Sequence, residues 1–216
     1  MTRRLAIILS GLVLVGPTQA DTITDSLFAE GLFSTLAPGE EITYAHVRSG
    51  PAGMEFPPVT EGAMVLSKPT EDAAHLSLTL VADLRRRSLG EFSAEGGNPV
   101  VLVFLESVAR NVAALTGGSP FYIRNRIKDA LRSGGDPTSA REPFAGRVVA
   151  AQAFTLRPFT DDPNRGRMGD LADLTLRFVV SPTVPGHVLS LSADTSDPAT
   201  GYHETIKLTD AGKGGE

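Results

Sequence analysis

Tyr44, His46 and Arg48 fall at alternate positions of residues 41–49, so in a strand all three share one face. An imidazole between a phenol and a guanidinium is the one grouping in the chain with acid–base potential. The other histidines, His75, His187 and His203, are scattered one per apparent strand. With no HExxH and no close histidine pair, a zinc centre is not expected. Residues 160–170, TDDPNRGRMGD, gather Asp161, Asp162, Asn164 and Asp170. Setting Gly166 on the glycine of a calcium loop puts Pro163 and Arg165 at ligand positions and leaves no closing glutamate, so that motif fails. A hairpin loop in which Asp and Arg neutralise each other is expected instead. The chain has no GxSxG elbow, phosphate loop or dinucleotide fingerprint, and Ser119 in GGSP reads as a helix cap. No catalytic residue, metal or cofactor is assigned. A hydrolase built on His46 or the Asp161 loop would need a cleft that unites them.

The elements that must position such groups centre on residues 97–131. Asn98 is a good N-cap and Pro99 suits the first helical position. Residues 100–105 are apolar throughout, which predicts burial on all sides. Three β-branched residues there leave a buried strand open as an alternative. Glu106, Ser107, Arg110 and Asn111 then form a polar side, with Glu106 and Arg110 in the favourable order for a helical ion pair. Gly117 supplies a left-handed stop, and Ser119-Pro120 opens a second helix with Ile123, Ile127, Ala130 and Leu131 on one stripe. A TGGS joint predicts a helical hairpin. It reads either as a cap over the end of a sheet or as a lid over an apolar cavity with a basic rim.

The N-terminus has Arg3 and Arg4, an apolar run over residues 5–15, and Thr18-Gln19-Ala20 as a cleavage site. Residues 1–20 are expected to be a secretory signal peptide, the mature chain to start at Asp21, and the location to be the periplasm. No cysteine follows the run, so a lipid anchor is not expected, and no later stretch is apolar enough to span a membrane. The chain contains no cysteine at all, which removes disulfides and thiolate chemistry. The mature chain must therefore hold itself together by burial. The full chain's net charge of −5, more negative once the two leader arginines are removed, argues against nucleic acid as a partner. The absence of tryptophan, with only three tyrosines, disfavours sugar-stacking platforms.

Residues 25–36 suggest a short amphipathic helix, broken at Pro38-Gly39. Strands are expected at 41–49, 62–67 and 75–85, the last with the cleanest alternation: Leu76, Leu78, Leu80 and Leu84 against His75, Ser77, Thr79 and Asp83. Arg85-Arg86-Arg87 should end that strand as a solvated edge, with an anion site as the alternative, and residues 89–94 extend it or form another. After a polar linker at 133–142, strands are expected at 144–159, bent near Ala150-Ala151, and at 171–181, 187–194 and 202–208, in a meander. One domain over residues 21–210 and a disordered tail over 211–216 complete the expectation.

This order of signal peptide, N-terminal helix, antiparallel strands, inserted helical pair and closing strands resembles the periplasmic lipoprotein-carrier family, the LolA-like half-barrels. The resemblance rests on that order and on the apolar helix beginning at Gly97-Asn98-Pro99. It implies an incomplete β-barrel wrapping an apolar cavity under a helical lid. The fold expected is α+β: a curved antiparallel sheet with an N-terminal helix and an inserted helical hairpin. The function expected is non-catalytic binding of an apolar or lipid-like ligand on the concave face. Val101, Phe104, Leu105, Phe121, Ile123 and Ile127 are the candidate contacts, with Arg124 on the rim. The alternative is a cell-envelope assembly protein that buries the hairpin against a protein partner.

Overall fold

The computed structural model describes residues 23–51, 58–82, 85–135, 137–197 and 199–213. The signal-peptide segment and residues 214–216 lie outside them. After a helix α1 (Ile23–Phe28) come four strands, β1 (Glu40–Ser49), β2 (Val59–Ser67), β3 (His75–Ala82) and β4 (Arg85–Ser93). The helices α2 (Pro99–Thr116) and α3 (Pro120–Ser133) follow. Five more strands complete the fold: β5 (Thr138–Phe144), β6 (Arg147–Leu156), β7 (Thr175–Val180), β8 (Val188–Asp194) and β9 (His203–Lys213). All nine strands form one antiparallel sheet in the order β4-β3-β2-β1-β9-β8-β7-β6-β5. Each half is a meander, and the halves meet where β1 pairs β9 from Glu40↔Lys213 to Ser49↔His203. Strands β4 and β5 remain edges, so the sheet is open and does not close into a barrel. The α+β reading holds.

The helical hairpin is set down on the middle of this sheet. Asn98 takes extended backbone and its Oδ1 accepts from the Val100 N–H at 3.0 Å, while Gly117 ends α2 at φ 66°. Alternate residues of the central strands, Ile42, Tyr44 and His46 on β1 and Glu204, Ile206 and Leu208 on β9, are buried, as is Tyr202 just before β9. So are Val100, Val101, Phe104, Val108 and Val112 of α2, and the rings of Phe104 and Phe178 (β7) meet edge to face at 6.0 Å. On α3, Ile123, Ile127 and Leu131 form the buried stripe at i, i+4 spacing.

Several expectations are corrected. Burial around the whole first part of α2 fails at Leu102, which is 47 % exposed. At 100° per residue it points away from Val100 and Phe104, beyond the reach of the sheet. Ser119 stands at the N-cap of α3 but makes no side-chain cap bond. The N-terminal helix stops at Phe28, ahead of Gly31 at φ +72°, although Leu32, Phe33 and Leu36 beyond it remain buried. Arg85-Arg86-Arg87 opens β4. The long strand expected from 144 is present as β6 but starts only at Arg147, because Ala145-Gly146, with positive φ values (50° and 74°), make the tight hairpin turn that joins it to β5. The supposed polar linker contributes β5, an edge strand on which Pro143 is tolerated. Strand β9 runs to Lys213, three residues into the expected tail. The 160–170 loop is more built than a hairpin connection, with 3₁₀ turns at Arg165–Arg167 and Gly169–Asp173. There Arg165 does meet Asp173, at 2.5 Å.

Candidate functional site

The end of β1 places His46 and Arg48 beneath α2, and the pairing Arg48↔Glu204 sets β9 beside them. Glu204 is fully buried, and four donors converge on its carboxylate. They are His46 Nε2 at 2.9 Å, Ser107 Oγ at 2.9 Å to both oxygens, Tyr202 Oη at 2.5 Å and Asn111 Nδ2 at 3.5 Å. A buried carboxylate is tolerated when its lone pairs are filled in this way. Arg48 Nη1 reaches Ser107 Oγ at 3.5 Å, so the hydroxyl relays a cation toward the carboxylate. Burial, and secondarily the charge on Glu204, push the Tyr202 phenol up. His46 is only 2 % exposed, and its second ring nitrogen, Nδ1, has no hydrogen-bond partner among the described residues.

The groups do not form a Ser–His pair. Ser107 donates to the Glu204 carboxylate and not to an imidazole. The Asp161 loop lies elsewhere: neighbouring Asp162 accepts from Tyr122 Oη at 2.8 Å and sits 3.2 Å from Arg126 Nε, anchoring α3. Tyr44, on the same face as His46, turns its hydroxyl to Asn98 at 3.2 Å, and burial pushes its pKa up to about 12. Among the described residues no group of three or more His, Cys, Asp or Glu side chains could hold a metal ion.

Above this polar cluster lies a cleft of ≈ 480 Å³ between α2 and strands β1–β4, within the range of small-molecule sites. Met64, Leu80, Leu89, Leu102 and Val103 form its apolar wall, and His46, Arg48, Ser107 and Asn111 its polar floor. Arg87 and Arg110 stand at the edge. Glu106 holds Arg110 at 2.5 Å and Arg124 at 2.7 and 3.0 Å, tying α2 to α3. Those guanidiniums, Arg124 foremost, hold its carboxyl down at about 2.

None of the seven candidate contacts borders this cleft. Val101, Phe104, Ile123 and Ile127 are buried in the core because α2 itself fills the face that a ligand was expected to occupy. Leu105 is half-buried, Phe121 is 68 % exposed on the first turn of α3, and Arg124 is engaged by Glu106. Ile123 borders a smaller cleft of ≈ 320 Å³ with Tyr122, Asn164 and Met168. A third, of ≈ 540 Å³, lies among Asp25, Ser139, Gln152, Thr183 and His187, where burial lowers the histidine's pKa. Glu204 was missed by sequence reasoning, yet it breaks the apolar row Tyr202, Ile206, Leu208, and a charge in such a row was the available signal.

No protein-family model matches the chain, and no curated protein matches it by sequence. Among solved structures it is similar to the lipoprotein LppX of Mycobacterium tuberculosis, at 9 % identity and a TM-score of 0.34. The match covers 85 % of this chain and 91 % of that one. A likeness so slight carries no weight for function.

Proposed function

We propose that this chain is a non-catalytic periplasmic protein that binds an amphiphilic, lipid-like ligand in the cleft between α2 and β1–β4. The observation that carries the reading is the composition of that cleft: an apolar wall ending in exposed Leu102, set against a polar floor with cations beside it. Apolar side chains with a few convergent polar groups are what small-molecule sites are made of. The leader-like N-terminus supports the location.

Native mass spectrometry of protein purified from its own periplasm tests it. A lipid-sized adduct is expected on the unaltered chain and absent from Leu102→Asp, while Phe121→Asp, on a surface away from the cleft, keeps it. An unliganded protein that also fails to take up single-chain amphiphiles in vitro sinks the reading. Burial of the hairpin against an envelope protein is the second reading, favoured by the exposure of Phe121. It predicts that Phe121→Asp, and not Leu102→Asp, abolishes a cross-linked protein product.

A further inference from the structure

We propose that the ligand's head is an anion, a carboxylate or phosphate monoester on a single apolar chain, received by Arg87 and Arg48 beside His46. The inference rests on the amphiphile reading and deepens it.

The chain is acidic, with net charge −5, yet the cleft presents cations to an incoming molecule. Its two carboxylates are already spent. Glu204 is filled by four donors, and Glu106 is shared by two guanidiniums. Arg87 projects from exposed β4 at the cleft's edge and makes no ion pair among the described residues. A planar guanidinium offers paired N–H donors that match a carboxylate or phosphate.

His46 supplies the second, independent observation. Its Nε2 is committed to the Glu204 carboxylate, so Nδ1 is the atom left over, buried in a residue that lines the cleft. Buried polar atoms without partners are uncommon. With Nε2 donating to Glu204, Nδ1 of the neutral ring is an acceptor that the remaining P–OH of a phosphate monoester would fill, while a carboxylate head would be held by the guanidiniums alone. Beyond the head, the tail would run along Leu80, Leu89, Leu102 and Val103. Order along the cleft thus matches order along an anionic amphiphile.

Calorimetric titration of the purified mature chain with dodecyl phosphate, dodecanoate, dodecyl maltoside and dodecyltrimethylammonium, each below its micelle concentration, separates head from tail. Inorganic phosphate alone is the fifth probe. The two anionic amphiphiles are expected to bind about tenfold more tightly than the maltoside, an advantage that added salt erodes and Arg87→Gln abolishes. The maltoside's own affinity should not change in that variant. Equal binding of anionic and neutral heads, indifferent to Arg87→Gln, overturns the anionic head and leaves the amphiphile reading standing. Failure of every chain-bearing probe removes both. Inorganic phosphate binding as tightly as dodecyl phosphate would show an anion site without a tail, which also overturns the proposal.

Discussion

The side-chain amide of Asn98 donates to the carbonyl oxygen of Gly186 at 2.9 Å, joining residues 88 apart in the chain. The same amide nitrogen reaches Tyr44 Oη at 3.2 Å, and the amide oxygen caps α2. One buried residue therefore starts the helix and pins that start to both halves of the sheet. Asn98→Ala removes the cap, worth about 1 kcal/mol, and leaves a buried phenol and carbonyl short of a partner. A loss of about 2–4 kcal/mol in denaturant unfolding is expected. A loss below about 1 kcal/mol would mean that the pin is dispensable.

Gly186 answers from the other side. It sits at φ +67°, and a Cβ there would lie 2.9 Å from Asn98 Nδ2 and 2.9 Å from the Phe33 ring. Gly186→Ala should cost about 2 kcal/mol or more, combining backbone strain with displacement of the cap. Gly146→Ala is the comparison, since its φ of +74° carries the strain but its Cβ would meet nothing. Melting temperatures should rank wild type, then Gly146→Ala, then Gly186→Ala, and equal losses would refute the steric account.

Glu204 holds its neighbours as much as they hold it. Glu204→Ala leaves His46, Ser107, Tyr202 and Asn111 without their common acceptor, and a cost of about 3–5 kcal/mol is expected. Glu204→Gln keeps the volume and one acceptor oxygen and should cost less. Were the two variants equally stable, the carboxylate would be filling space and organising nothing.

Acid should loosen the helical hairpin through Glu106. Its carboxyl is held at about 2 by Arg124 and Arg110, below the ordinary 4.5. The folded state then binds fewer protons than the unfolded one, so the stabilisation is whole above about 4.5 and drains away as pH falls toward 2. A third of the side chain is exposed, and solvent screening leaves about 1 kcal/mol or less. Glu106→Gln should flatten the acid limb of a stability-versus-pH curve by that amount and leave the neutral region otherwise parallel. An unchanged acid limb would count against the Arg124 bridge.

Local signals that depend on near neighbours were readable in advance. The Asn98-Pro99 start, the Gly117 stop, the Ile123–Ile127–Leu131 stripe and the Leu76–Leu78 alternation all appear as written. The polar side of α2 was visible too, but nothing local says that β9 will bring Glu204 opposite Ser107 and Asn111. Pairing across 97 residues of chain is set by tertiary packing, and sequence periodicity is silent about it. Leu102 was misjudged for the complementary reason. A uniformly apolar run states that contact with water is unwelcome without saying which side finds cover. Val101, Phe104, Ile123 and Ile127 thus lie in the core, with the open groove one helical face away.

The seam between β1 and β9 joins the first strand to the last. Until the eleven residues of β9 are in place, neither half has its central neighbour, and Glu204, Ile206 and Leu208 are missing from beneath α2. The molecule is fastened like a clasp whose tongue is made last. A chain cut short before His203 is expected to stay open however complete its other eight strands, and a half-finished copy would offer two bare central edges to its neighbours.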